Sequence, residues 1–435
     1  MNDTIYALAS ASGRAAVCVV RISGRDSGLV IERLTHRSRP GQRKASLRKL
    51  FDNDGGLLDE ALVLYFAGPA SFTGEDAAEL HLHGGRAVVT GVLEALAALG
   101  LRQAMPGEFT RRAFEHGKMS LAEAEGIADL VDSETSAQRA QALGQMSGAL
   151  DQRFAVWRAA LIESLALMEA AIDFPDEDLP PDVANGALAV LASLRADLAS
   201  ALTDRRGERI REGLRVALIG PPNVGKSSLF NGLIGRDAAI VTSTPGTTRD
   251  VIEAGMMLNG YHVIIADTAG ERDTTDEIEA EGVRRAHAWA QQADLRIWVR
   301  DASQLTADPG QERVGPNDLG SDWVVYNKAD IGPAPQSPVS ALTGAGVDLL
   351  LDRIGAFAAE VLGGSDFPAS TRARHRVLLE TAVYHLDQAI SHFGGAAELV
   401  GEDIRLACRS LERLSGRIGA EDVLERVFAS FCIGK

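Results

Sequence analysis

The residues that most plainly fit chemistry, by type and by spacing, are Gly220-Pro221-Pro222-Asn223-Val224-Gly225-Lys226-Ser227-Ser228. They spell G-x-x-x-x-G-K-S, a phosphate-binding loop. Glycines let the backbone wrap a phosphate closely. The loop amides and the start of the next helix aim partial positive charge at it. Lys226 would reach the β- and γ-phosphates, and the Ser227 hydroxyl would ligate Mg²⁺. Further on, Asp267-Thr268-Ala269-Gly270 follows the apolar run Val263-Ile264-Ile265-Ala266. An Asp at a strand end would hold Mg²⁺ through water, and the Gly would let an amide meet the γ-phosphate. Between these lies Gly246-Thr247-Thr248-Arg249-Asp250, which offers a threonine hydroxyl to Mg²⁺ as a switch segment would.

The base end of such a pocket follows in order. Asn327-Lys328-Ala329-Asp330, after Trp323-Val324-Val325-Tyr326, resembles the guanine-reading motif of GTPases. The Asp330 carboxylate would accept from the N1 and N2 hydrogens of guanine, a donor pair that adenine lacks. Ser340-Ala341-Leu342 stands where GTPases close the base pocket with a backbone amide. Each string alone fits an ordinary turn or strand end. All of them in one order, each on a suitable element, specify a GTPase. Its water-positioning residue is not the usual one, because Glu271 stands where Ras-like proteins carry Gln. The acidic run Asp273, Asp276, Glu277, Glu279 and Glu281 reads on its own as a solvated face.

The elements that must position these residues form a strand, the loop, a helix, then alternating strands and helices from Leu214 to about Gly364. That is a mostly parallel sheet with helices on both faces. Residues 1–117 read as a separate α/β unit, with strand candidates at 16–22, 62–66 and 79–83 and a helix over 86–99. Residues 118–211 and 366–435 are helical. Leu161, Leu165, Met168 and Ile172 make one apolar stripe, and Leu379, Val383, Leu386, Ile390 and Phe393 another. Such stripes need partners. The simplest arrangement is one discontinuous helical domain carrying residues 212–365 as an inserted G domain; two independent helical pieces are the alternative. The fold class is therefore multidomain, α and α/β.

Composition sets outer limits. A chain of 435 residues holds two or three domains, and its net charge of −16 argues against non-specific coating of nucleic acid. Cys18, Cys408 and Cys432 are too far apart for a disulfide framework or a zinc spacing. No run of eighteen apolar residues suggests a membrane span. The start, Met1-Asn2-Asp3-Thr4, has no basic region followed by an apolar core, so a cytoplasmic location is expected.

With Pro106-Gly107-Glu108-Phe109, Asp173-Phe174-Pro175, Gly246-Thr247-Thr248-Arg249-Asp250 and the terminal Phe431-Cys432-Ile433-Gly434-Lys435, the whole chain resembles the MnmE/TrmE family of tRNA-modification GTPases. The resemblance implies a homodimer whose G domains pair in the presence of K⁺. Asn223 would ligate that ion, with the Thr242 and Thr244 carbonyls and Thr247 completing its shell. Ser227 and Thr248 match the Mg²⁺ ligands, Glu279 the residue that orients the attacking water, and Arg272 a residue ordering that switch. Val224, Gly225, Ser228, Ser243, Pro245 and Gly246 belong to the nucleotide-contacting loops. Arg21, Glu79, Lys118 and Lys435 align with positions that bind a 5-formyl- or 5,10-methylene-tetrahydrofolate in an N-terminal folate-binding and dimerisation domain. Cys432, beside the cationic Lys435, is implied in the modification, as a thiol of lowered pKa would be. An FAD-dependent partner of the MnmG/GidA type and tRNA complete the expected assembly, with a 5-carboxymethylaminomethyl-type group built on the wobble uridine. A ribosome-assembly GTPase switch shares the G-domain motifs but not the terminal Phe-Cys-Ile-Gly-Lys. A pure scaffold with a degenerate site is opposed by the intact Lys226, Ser227, Asp267 and Asp330.

Overall fold

The computed structural model describes residues 3–11, 13–173, 181–235, 252–267, 288–304, 321–333, 337–364, 366–395, 397–416, 424, 427–429, 431, 433 and 434. The chain divides into two compact units: residues 1–128 with 145–162 and 405–435, and residues 129–144 with 163–404.

The first unit is built on strands β1 (Ile5–Leu8), β2 (Ala15–Ser23), β3 (Ser46–Phe51), β4 (Leu57–Phe66), β5 (Ala77–Gly84) and β6 (Arg102–Gln103), with helices α1 (Ser27–Thr35), α2 (Arg86–Ala98) and α3 (Glu108–Glu115). The sheet order is β3-β4-β5-β2-β1-β6. Side chains alternate across a strand. Cys18, Val20 and Ile22 of β2 and Ala78, Leu80 and Leu82 of β5 therefore share a core with Val30, Ile31 and Leu34 of α1 and Val92 and Leu96 of α2. Arg21 and Glu79 fall on the other face. Strand β4 is longer than its apolar signal, because its first half pairs with β3 at the sheet edge. Strands β1, β3 and β6 carried no clear sequence signal of their own.

The remaining helices are α4 (Leu121–Asp132), α5 (Ser136–Met146), α6 (Ala149–Asp173), α7 (Pro181–Thr203) and α8 (Arg206–Glu212). In the second unit α8 leads straight into β7 (Leu214–Ile219), which is followed by α9 (Lys226–Ile234), β8 (Ile252–Leu258), β9 (Tyr261–Asp267), β10 (Leu295–Asp301), β11 (Ser321–Asn327), α10 (Val347–Leu362) and α11 (Ala373–His392). Helix α12 (Ala397–Ser415) comes last. The sheet order is β11-β10-β7-β9-β8, parallel except for the antiparallel edge strand β8. Leu214, Val216 and Leu218 of β7 enter one core with Leu229, Leu233, Leu350 and Ile354. Ala217, one residue out of phase, meets Ala290 and Ala293 on the opposite face. Both faces are covered, as a parallel sheet requires.

The helical stripes are present with shifted centres. Leu161 and Met168 are buried, and Ser164 lies buried between them while Leu165 is half-buried; Ile172 has no described side chain. On α11 the buried line is His375, Leu379, Ala382, Leu386 and Ala389, and Val383, Ile390 and Phe393 flank it. Helix α7 packs along α11, tied at the surface by Arg195 Nε to Asp387 Oδ1 at 2.8 Å. Residues 186–212 are long and apolar enough to cross a membrane by length and composition alone. Leu191, Leu194 and Leu198 of that stretch are buried within the fold.

Candidate GTP site and candidate folate face

The phosphate loop connects β7, the central strand, to α9. At Gly225 φ is +89°, and a Cβ there would come within 2.4 Å of the Asn327 amide nitrogen. Only glycine satisfies both the backbone and the approach. Val224 anchors the loop in the core beneath it. Lys226 is buried, and its Nζ donates to the carbonyls of Gly220 at 2.7 Å and Pro221 at 2.9 Å. The ammonium is thereby held across the loop where phosphate oxygens would meet it. Ser227 and Ser228 begin the helix and are exposed. Asn223 is exposed on the loop with φ +65°.

Register puts Asp267, the last residue of β9, beside Leu218 of β7. Asp267 is buried, and its Oδ1 has no hydrogen-bond partner among the described residues. A buried carboxylate oxygen left bare beside a phosphate loop fits a hydrated Mg²⁺, a hard cation that takes oxygen ligands.

The base-reading segment is braced against the phosphate loop. Asn327, almost fully buried, donates from Nδ2 to the Val224 carbonyl at 2.9 Å and the Gly225 carbonyl at 3.3 Å. Its Oδ1 accepts from the Ala341 amide at 3.0 Å. One side chain therefore joins the phosphate loop, the end of β11 and the 340–342 segment. Lys328, at φ +63°, donates to the Asn223 carbonyl at 2.9 Å and to Asp301 Oδ2 at 2.6 Å. Asp330 is exposed, with Oδ1 accepting from the buried Ser340 hydroxyl at 2.6 Å. Leu342 is almost wholly exposed. Asp301, at the end of β10 and aligned with Asn327 across the sheet, was not singled out from sequence. Burial pushes its carboxyl up, but the Lys328 ammonium and the Ser303 donors outweigh this and hold its pKa below the usual carboxylate range. The signal available for it was an acidic residue closing an apolar run, in the same position relative to β10 that Asp267 has to β9.

Thr242 to Thr248, Thr268 to Gly270, Arg272 and Glu279 lie outside the described residues, as do Cys432 and Lys435.

In the first unit Arg21 of β2 and Glu79 of β5 are register partners, with Arg21 Nη2 to Glu79 Oε1 at 3.0 Å. The Arg21 guanidinium also lies 5.4 Å from the ring centre of Phe72 and 5.8 Å from that of Phe109. Glu79 Oε2 is 3.4 Å from His81 Nε2. Lys118 is exposed and donates to the Pro69 carbonyl at 3.0 Å. Arg21 and Lys118 thus touch one segment, the first through Phe72 and the second through Pro69. That segment is fastened from below. Ser23 Oγ meets Thr73 Oγ1 at 2.7 Å and donates to Glu75 Oε2 at 2.8 Å. Fully buried Arg112 reaches Glu75, Asp3 and Glu108. Neither the two rings nor Arg112 was read as part of this face, since β2–β5 pairing and the loop alone bring them together. Arg21, Glu79 and the part-exposed Phe72 ring lie together here, whereas Phe109 is fully buried. Near the C-terminus, Gly434 has φ +99° and approaches the end of β1 so closely that a Cβ would stand 2.4 Å from the Leu8 carbonyl.

A phosphate loop on the central strand of a five-stranded, mostly parallel sheet, with a bare acidic oxygen on the next strand and a base-reading Asn-Lys-x-Asp, defines a P-loop GTPase. Comparisons carry the assignment further. Residues 121–432 match the MnmE helical domain, and residues 4–118 match the GTP-binding protein TrmE N-terminus. The tRNA modification GTPase MnmE of Phenylobacterium zucineum is 54% identical over the full length of both chains, and that of Caulobacter vibrioides is also 54% identical over both full lengths. The chain belongs to the MnmE family of tRNA modification GTPases. A solved structure of Aquifex aeolicus Era bound to GDP·AlF4⁻ is 28% identical over 40% of this chain and 66% of that one, with a TM-score of 0.27, too low to bear on the fold.

Proposed function

We propose that the chain is a cytoplasmic, homodimeric, potassium-activated GTPase. With an FAD-dependent partner of the MnmG/GidA type it forms a 5-carboxymethylaminomethyl-type group at the wobble uridine of certain tRNAs, taking the carbon from a 5-formyl- or 5,10-methylene-tetrahydrofolate. The observation that carries this reading is the Asn327 brace between the phosphate loop and the base-reading segment, in a chain that matches MnmE relatives from end to end. In the domain layout proposed, residues 1–117 bind folate and dimerise, 212–365 form the G domain, and 118–211 with 366–435 form the helical domain.

Within the G domain Lys226 exchanges its two loop carbonyls for β- and γ-phosphate oxygens. Asp330 reads the guanine edge while Ser340 holds its carboxylate in place. Ser227 and Thr248 would hold Mg²⁺, with Asp267 acting through water; Mg²⁺ offsets charge on the β- and γ-phosphates. Asn223, the Thr242 and Thr244 carbonyls and Thr247 would hold K⁺, which supplies positive charge where other GTPases use an arginine. Glu279 orients the attacking water and Arg272 orders its segment. Arg21, Glu79, Lys118 and Lys435 bind the folate, and Cys432 takes part in the modification. Hydrolysis drives opening and closing of paired G domains, not the carbon chemistry.

GTP turnover in KCl and in NaCl, for wild type and Glu279→Ala, tests the hydrolytic half. Equal, fast turnover in both salts would refute potassium activation. Mass spectrometry of wobble nucleosides in a deletion strain tests the tRNA half, and an unchanged nucleoside profile would reject it.

A further inference from the structure

One stretch of the first unit carries the sign opposite to that of the chain. From Arg33 to Lys49 there are seven basic residues and no acidic one, which leaves 37 basic against 60 acidic residues elsewhere, a net charge of −23. Five of the seven are arginines. We propose that this stretch is a docking surface for the phosphate backbone of tRNA, an inference that rests on the chain's action on tRNA.

The stretch borders β3, the outermost strand of its sheet. Where α1 ends, the His36 ring packs on Phe51 at the far end of β3, with ring centres 5.1 Å apart. The chain then runs back to enter β3 at Ser46. On the way the Arg39 guanidinium stacks over the Tyr65 ring at 5.0 Å. The Arg43 amide donates to the Tyr65 carbonyl at 2.8 Å, and Arg43 Nη2 donates to the Ala70 carbonyl at 2.6 Å. Tyr65 stands two residues beyond Val63, the β4 partner of Ser46. The loop is thus fastened at both ends of a six-residue strand, a length of about 20 Å. Its basic side chains are spread over that margin of the sheet.

Arg48 is half-buried and the other six basic residues are exposed. None of the seven forms an ion pair among the described residues. The ladder sets Glu60 opposite Lys49, yet the two are not within ion-pair distance. Nearby carboxylates are turned to backbone: Glu32 Oε1 accepts from the Arg39 amide at 3.4 Å, and Asp52 Oδ1 from the Asp54 and Gly56 amides. An ordinary solvated surface mixes the two signs. Lysines on an edge strand also block aggregation, which accounts for Lys49 but not for the arginines of the loop. A polyanion meets the whole set. Arginine forks take phosphate oxygens two at a time, and the outer N–H groups of an edge strand add donors. The acidic remainder of the chain repels RNA, so contact is confined to this margin.

Filter binding of tRNA lacking the wobble modification to the full-length chain, over about 50–200 mM KCl, tests the surface. The triple variant Arg37→Gln, Lys44→Gln, Lys49→Gln should weaken binding by about tenfold or more at about 100 mM KCl and make the salt dependence shallower by about two, as the loss of three phosphate contacts predicts. Its GTP turnover and melting temperature should stay those of the wild type. A control triple variant, Arg14→Gln, Arg139→Gln, Arg205→Gln, removes the same charge from exposed positions elsewhere and should leave affinity within about twofold. Equal weakening by both variants, or unchanged affinity and salt dependence in the first, would overturn the surface and leave the action on tRNA standing. Absence of tRNA binding by the wild type would also overturn it, and capture of that protein by phosphatidylserine vesicles would assign the patch to a membrane instead. Only an unchanged wobble-nucleoside profile in the deletion strain would remove the action on tRNA as well.

Discussion

The two candidate sites are built in opposite ways. At the end of the parallel sheet, the polar side chains are held mainly by backbone: Asn327 by two loop carbonyls and an amide, Lys226 by two carbonyls, Lys328 by the Asn223 carbonyl, with Asp301 its one side-chain partner among the described residues. On the N-terminal sheet the side chains hold one another: Arg21 is spent on Glu79, and Arg112 on three carboxylates. Backbone-held groups keep their geometry when one side chain is changed. A mutually neutralised set does not, because removing one charge leaves the others unpaired.

That contrast is most sharply broken or sustained at Lys226. Lys226→Ala should lower GTP hydrolysis by about 10²–10³-fold, the scale for losing one preorganised charge-stabilising donor, with the melting temperature nearly unchanged. A large loss of stability instead would mean that the loop depends on the ammonium for its shape. Asn327→Ala removes three hydrogen bonds that span two loops. GTP affinity should fall by about 100-fold, and stability by about 1–3 kcal/mol in chemical denaturation, the cost of stranding buried polar groups.

Arg21→Ala tests the other side. Tetrahydrofolate affinity, followed by fluorescence titration, should fall by about tenfold, close to 1.4 kcal/mol, while GTP turnover per protein stays constant. Unaltered folate affinity would remove Arg21 from the proposed site. The smallest effect concerns pH. The Asp301 carboxyl is held below its ordinary range, so its contribution to stability is fully present above the unfolded-state pKa of about 3.9 and is lost as pH falls through the folded value. Asp301→Asn should therefore flatten the decline in stability below about pH 4 and leave the Arg21 face untouched.

The same contrast explains what could be read from sequence. Gly225, Lys226, Asp267, Asn327 and Asp330 sit at ends of apolar strands, and their spacing is set by how a strand turns into a loop. Those constraints are local, so the motifs stood out. Asp301 did not, because its partner Lys328 is 27 residues away and reaches it only through the β10–β11 pairing. Arg21 and Glu79, 58 residues apart, meet through the register of β2 on β5. Without a resemblance to a known family they would pass for ordinary strand-end charges. Phe72 and Arg112 belong to the same case: loop and helix bring them in, and no period marks them. The helical stripes were legible in phase but off-centre, since Ala382 and Ala389 fill the seam of α11 that larger residues were expected to occupy.

The Asn327 amide also has a bearing on how such a protein changes over generations. Because one carboxamide fastens the phosphate loop and the 340–342 segment together, nucleobase preference and triphosphate grip are not separate traits. A lineage that altered one would disturb the other in the same step. Any route to a new nucleotide would have to run through the neighbours of Asn327, Asp330 and Ser340 among them.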